Sequence, residues 1–326
     1  MTTTGRTPMP IALPSTDRNF RGYGGSPPPV RWPGGTQLAV SVVVNVEEGA
    51  EMSLAHGDER NEPIYEIVDH IESVPDFCME SHFTYGTRAG WPRIRAALKR
   101  FGVGATMNCC ARAIAYSPWL AREAVGDGHE ISSHGWRWER QAHMSEAEER
   151  GVIAKAVAVL TEAAGTAPVG WHTRSATSVN TRRLLVEHGG FLYDSNAYDD
   201  DIPYVVEVCG RPHVVLPYAF DTNDMRFFNS YAFVQGEDFA RYCIAAFDRL
   251  YEEGKDAPRM MSVGLHLRII GRPGRIGGLE AFLAHAASKP GVWFARRDEI
   301  AHAWRAGIGL PRWSQSEPLS SFRLPA

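Results

Sequence analysis

Several things are scarce in this chain. Its five cysteines (Cys78, Cys109, Cys110, Cys209 and Cys243) form no CxxC pair. The odd count suits reduced, mostly buried thiols rather than a disulfide framework, and no motif supports a catalytic cysteine. No stretch approaches the ~18 unbroken apolar residues of a membrane span. The opening "MTTTGRTPMPIALPSTDRNF" has no apolar segment behind a basic start, so a cytoplasmic protein with no membrane partner is the expectation. Lysine and arginine never gather into runs, and the net charge is −4. That leaves no electrostatic footprint for nucleic acid and points to a small or neutral substrate.

Proline and glycine concentrate in residues 1 to 37, which end "GYGGSPPPVRWPGG". Such a composition predicts an extended arm rather than an independent domain. Next comes "LAVSVVVNV" (38 to 46), a continuous β-branched run of the kind buried on both faces of a parallel sheet. Helix and strand signals then alternate. Helices are predicted over 88–102, 117–128, 180–190, 237–253, 276–288 and 298–306, and strands over 104–110, 129–134, 169–173, 191–195, 213–220, 260–267 and 292–297. One further helix has a complete signature: Ser145 and Glu148 as a capping box, an apolar stripe from Ile153 to Ala164, and Gly165 as the stop. The alternation runs to about residue 306 with no internal linker and no strong repeat. It predicts one α/β domain over 38–306, a barrel or doubly wound sheet, with a C-terminal tail over 307–326.

In such folds the reactive groups lie where strands end. Here polar residues follow apolar runs five times: Asn45, Glu47 and Glu48; Ser133 and His134; His172, Thr173 and Arg174; Asp194 and Ser195; His266 and Arg268. Together they describe a site. Taken singly, each has a plainer reading. The glutamates can be a solvated loop, and His134 and His266 can be hydrogen-bonded structural histidines. Arg174 and Asp194 can pair with each other across neighbouring strands. Trp136, Trp138 and Trp171 can be core or rim aromatics, although aromatics beside polar groups also wall ligands.

The order "NVEEG", "SSHGWRW", an arginine after the fourth strand, "YDS" and a late "GLH" resembles the polysaccharide deacetylase superfamily. The resemblance implies a distorted (β/α) barrel of about seven strands. In metal-dependent members an Asp-Asp-Gly motif supplies the base and one metal ligand, and a His-Ser/Thr-x-x-His motif supplies two more. This chain has Glu47-Glu48-Gly49 and His134-Gly-Trp-Arg-Trp138 in those places. One histidine is kept, the carboxylate ligand becomes Glu48, and Trp138 replaces the other histidine. Zinc sites usually need three protein ligands, so the expectation is no metal and no cofactor.

Longer stretches, including "VNVEEGAEMSLAHGD", "MESHFTYGTRAG" and "GLHLRIIGRPGR", are similar to the cofactor-independent allantoinases and related cyclic-imide hydrolases of this superfamily. They imply hydrolysis of a cyclic amide, ureide or imide, and a homo-oligomer, by resemblance a tetramer. The "GWHTR" and "RWERQAHM" segments depart from that pattern. In this reading Glu47 is the base and Glu48 its orienting partner, the two carboxyls raising each other's pKa toward neutrality. His134, His266 and Arg174 polarise the carbonyl. Glu80, Trp136, Trp138, Trp171 and His172 contact the substrate, and Asp194 holds a histidine or arginine in place. Two alternatives stay open. One is a metal-dependent polysaccharide or peptidoglycan N-deacetylase using Glu48, His134 and a third ligand such as His82, His143 or His172. The other is a non-catalytic binding barrel, against which the acid pair speaks.

Overall fold

The computed structural model describes residues 20, 22–63, 70–174, 176–228 and 232–315. Its first strand, β1 (Leu38–Val46), is buried at every position, as a β-branched run with no polar face requires. There follow α1 (Phe77–Tyr85), α2 (Trp91–Phe101), β2 (Ala105–Cys109), α3 (Ala111–Tyr116), α4 (Pro118–Gly126) and β3 (Glu130–Ser133). The middle of the chain forms α5 (Glu146–Ala164), β4 (Gly170–Trp171), α6 (Thr181–His188), β5 (Tyr193–Asp194), β6 (Tyr204–Val208) and β7 (Arg211–Val215). The last part is α7 (Gly236–Glu253), β8 (Arg259–His266), α8 (Ile276–Ala287), β9 (Val292–Phe294) and α9 (Arg297–Gly307).

Seven parallel strands in the order β8-β1-β2-β3-β4-β5-β7 make a curled sheet, the expected barrel wall. β9 extends it beside the first half of β1, through Leu38–Val40. β6 folds back antiparallel on β7. The sequence expectation lacks this hairpin although Tyr204, Val205, Val206 and Val208 favour a strand; Glu207 interrupts the run and the strand is only half-buried. Its turn is Cys209-Gly210, both at positive φ (53° and 71°), the geometry that matches hairpin twist. α1 also escapes prediction, while α5 forms with the capping box and the left-handed Gly165 stop that the sequence announces.

The sheet does not close by strand pairing between β7 and β8. The loop after β7 fills the gap: Gly264 N donates to Thr222 O at 3.0 Å, Ser262 Oγ to Pro217 O at 3.2 Å, and Asn223 makes an isolated parallel bridge with Gly264. Arg297, fully buried, pins this loop from inside the barrel through Nη2 to Pro217 O at 2.9 Å. Its Nη1 donates to Ser262 Oγ at 2.8 Å and its Nε to Ser195 Oγ at 2.9 Å. The inner end of the proline-rich arm packs at the start of the strands, where Trp32 meets Trp293 and Trp304 at ring distances of 6.1 and 6.3 Å. The rest of the expected arm before residue 20, and the tail beyond residue 315, lie outside the described residues. All five thiols are free; Cys109, Cys110 and Cys243 are buried, while Cys78 and Cys209 are exposed.

Candidate active site

Because the strands run parallel, their C-terminal ends converge on one rim. There a cavity of about 500 Å³ is lined by Glu47, His134, Trp138, His172, Arg174 and His266 of the expected residues, together with Asn45, Tyr198, Tyr218, Phe220, Asn223, Met225 and Arg268. That volume lies in the range of small-molecule sites.

Glu47 lies at the centre of the polar groups. Its Oε1 is 3.4 Å from His134 Nε2, and its Oε2 is 3.0 Å from Arg268 Nη1 and 3.8 Å from His266 Nε2. Burial alone would raise the carboxyl pKa, but His266, the His134 hydrogen bond and Arg268 together hold it well below the usual range. Glu47 is therefore an anion across neutral pH. Glu48 lies behind it and does not line the cavity. Its Oε2 accepts from Glu47 N at 3.0 Å and its Oε1 from Arg268 N at 3.2 Å. Its side chain lies against Gly86, where a Cβ would come within 2.3 Å of Oε1. Burial pushes the Glu48 pKa up to about 7, with Arg268 opposing and Glu47 adding to the rise. The expected raised carboxyl thus falls on Glu48 and not on Glu47, because Arg268 and the two histidines crowd the first glutamate.

The histidines are oriented from behind. His134 Nδ1 donates to the His172 carbonyl at 2.6 Å, which aims Nε2 at Glu47. His266 Nδ1 donates to Asp224 Oδ1 at 2.6 Å. Asp224 is held in turn by the backbone N–H groups of His266 and Ile270 at 2.7 and 3.1 Å. Burial would lower the His266 pKa, but the carboxylates of Asp224 and Glu47 outweigh it and raise the value. Burial, and then the neighbouring His134, hold His172 well below its ordinary value, so it is neutral. Arg174 lies 3.8 Å over the Trp138 ring and Arg268 5.1 Å from its centroid, so Trp138 is a cation-binding wall.

Four of the expected site residues lie elsewhere. Glu80, on α1, accepts from Ser53 Oγ. Trp136 packs under Lys155, 3.5 Å from its ring. Trp171 is fully buried, donating to Thr173 Oγ1 at 3.0 Å. Asp194 does hold an arginine and a histidine, but these are Arg182 and His213, at 2.7 and 3.0 Å, away from the cavity. Asp224, Arg268, Asn108 and the two tyrosines are the residues that sequence reasoning left without a role. The polar cluster "DTNDMRF" was visible in the sequence, but no periodicity ties it to a strand end.

The positions that hold metal in metal-dependent relatives do not fit an ion here. Both Glu48 oxygens are engaged by backbone N–H groups, and Trp138 carries no ligand atom. Among the described residues no group of three or more His, Cys, Asp or Glu side chains is arranged to hold a metal.

A curled α/β half-barrel with acid, histidines and arginines gathered at its strand ends defines a hydrolase of the deacetylase class. The chain belongs to the polysaccharide deacetylase family: residues 72–190 match the family model for polysaccharide deacetylase. A "putative polysaccharide deacetylase" of Schizosaccharomyces pombe is 36% identical over 89% of this chain and 97% of that protein. The crystal structure of PuuE allantoinase superposes with a TM-score of 0.85 at 44% identity, covering 90% of this chain and 98% of that one. A crystal structure of a "probable polysaccharide deacetylase" from Pseudomonas aeruginosa PAO1 does so with a TM-score of 0.85 at 46% identity, over 89% and 98%. Among the described residues no helix is long and apolar enough to cross a membrane.

Proposed function

We propose that this protein hydrolyses the ring of a small cyclic amide, ureide or imide with its own side chains. The observation that carries the reading is the buried Glu47 anion facing the cavity, framed by His134, His266 and Arg268. Similarity over nearly the whole length to a protein solved as an allantoinase supports the substrate class.

Glu47 takes a proton from water as the hydroxide adds to a ring carbonyl. A carboxylate of low pKa is a weak base, so the donors around the carbonyl must do much of the work. Arg174 is one such fixed positive charge at the cavity. As the carbon–nitrogen bond breaks, the leaving nitrogen takes the proton of His266, which Asp224 keeps charged. Protonated Glu47 then returns its proton to His266, 3.8 Å away. One water has been added across the bond and both groups are reset.

The test is a panel of allantoin, hydantoin, dihydrouracil, succinimide and an N-acetylglucosamine oligomer, assayed with chelator-treated protein and again after zinc addition. Ring opening at the same rate in both conditions is the expected result. Release of acetate from the oligomer alone, and only with zinc, would overturn the proposal in favour of deacetylation.

A further inference from the structure

Two phenols in the cavity wall, Tyr218 and Tyr198, have hydrogen-bond directions that trace back to backbone groups. Asn45 Nδ2 donates to Leu265 O at 3.1 Å. A carbonyl only accepts, so this end of Asn45 is its amine. The same amine donates to Tyr218 Oη at 3.2 Å. On the other side Asn223 Oδ1 accepts from Met225 N at 2.9 Å. That fixes the second amide, whose amine also donates to Tyr218 Oη at 3.2 Å. Both acceptor positions of the phenol are therefore filled, and among the described residues none accepts its proton. The hydroxyl has one direction left, and Tyr218 lines the cavity. Burial raises its pKa above the ordinary value, so it stays a donor.

Tyr198 is set in the same way through a longer chain. Asn45 Oδ1 accepts from Asn108 Nδ2 at 3.4 Å. The Asn108 amine also faces His172 Nδ1 at 3.1 Å, which makes that nitrogen the acceptor of a neutral imidazole. The ring proton is then on Nε2 and points at Tyr198 Oη, 3.2 Å away. Tyr198 passes its own proton onward. It is the more exposed of the two, stacked on Phe220 at the mouth with ring centroids 3.9 Å apart, whereas Tyr218 is buried.

We infer that the Tyr218 hydroxyl is a catalytic donor to the oxygen of the reacting carbonyl, and that Tyr198 supplies a second donor selecting a ligand with another carbonyl. This rests on the proposed ring-opening function and sharpens it: the substrate presents carbonyl oxygens to the tyrosine wall. On addition of hydroxide the carbonyl oxygen becomes an oxyanion and the Tyr218 hydrogen bond shortens onto it, with no proton transferred. Removal of one such donor typically costs about 10²–10³ in kcat. Substrates with a single ring carbonyl lose the Tyr198 contact and are expected to bind less tightly.

The test compares wild type, Tyr218→Phe, Tyr198→Phe and a variant with 3-fluorotyrosine at position 218, on hydantoin and succinimide. Tyr218→Phe is expected to lower kcat about 100-fold with KM changed by less than about threefold. Tyr198→Phe is expected to act chiefly on KM. The fluorinated variant keeps the hydroxyl and should hold kcat within a few-fold of wild type, which separates loss of the donor from loss of the ring's packing. Wild-type kcat in Tyr218→Phe, with the ring-opening activity present, would overturn this assignment and leave the function standing. A wild type that opens neither ring would instead overturn the function itself.

Discussion

β1 ends at Val46, and Glu47 opens a turn closed by Ala50 N donating to Glu47 O at 2.8 Å; across that turn Glu47 faces the cavity and Glu48 the wall behind it. The two carboxyls consequently titrate apart. Glu48 has a folded pKa of about 7 against an ordinary 4.5. A raised value means that the folded state holds the extra proton, so the stability it contributes is complete below 4.5 and is lost as pH rises through about 7. The shift of 2.5 corresponds to at most about 3 kcal/mol. Buried Glu130, bonded to Thr106 and Tyr193 and likewise raised to about 7, acts in the same direction. Thermal melts are therefore expected to show Tm falling between pH 5 and 8, and Glu48→Gln should flatten that slope. A slope unchanged in Glu48→Gln would contradict the protonated wall. Asp224→Asn should lower the His266 pKa and move the alkaline limb of the kcat profile to lower pH. At this scale the sequence was legible wherever a polar residue follows an apolar run, as at Glu47, His134 and His266. It was silent on which of the two adjacent glutamates would be crowded by cations, since Arg268 reaches them from 220 residues away.

The elements meet at the site with little room to spare, and glycines mark where. A Cβ on Gly264, in β8, would lie 2.3 Å from both Asn223 Nδ2 and Tyr218 Oη. The amide–phenol cluster is thus stacked directly on the strand backbone. Gly264→Ala is expected to push the phenol off its position and lower kcat at least tenfold while the circular dichroism spectrum stays unchanged; full activity would contradict the placement of Tyr218. Gly90, in the single π turn Gly86–Gly90 ahead of α2, would place a Cβ 2.0 Å from Leu267 O. That turn seats Glu48 on Gly86 and the loop after β8 on Gly90. Helices α5 and α7 could be read from their periodic stripes. The π turn could not, because it looks like the first turn of α2, and in β6 Glu207 interrupts a short strand-favouring run.

At the scale of the molecule, the fold is a parallel barrel left open at one seam and stitched by a loop. The sequence carried the alternation of strands and helices and hence the barrel, and it carried the family through its composite motifs. It did not carry the seam. The loop 217–224 pairs with β8 through single hydrogen bonds and side chains, and it brings Tyr218, Asn223 and Asp224 into the site. Arg297 anchors that loop although burial lowers its pKa and, among the described residues, no carboxylate is hydrogen-bonded to it. Arg297→Leu removes the guanidinium donor from the Leu216 carbonyl and from the Ser195 and Ser262 hydroxyls, while Pro217 O keeps Ser262 Oγ. Each unsatisfied buried group costs about 1–3 kcal/mol, so urea unfolding should show a loss of several kcal/mol. Activity should fall with it as the loop loses its anchor.

In the proposed reaction Glu47 is the group that activates water. The most direct measurement is the kcat of Glu47→Gln for the ring substrate that wild type opens fastest, in chelator, at a temperature where the variant gives the wild-type circular dichroism spectrum. Loss of the buried anion opposite Arg268 will lower Tm, so the fold must be checked in the same sample. The predicted result is a folded protein with kcat reduced by about 10²–10⁴. A folded Glu47→Gln variant turning over within a few-fold of wild type would contradict the account and place the base elsewhere.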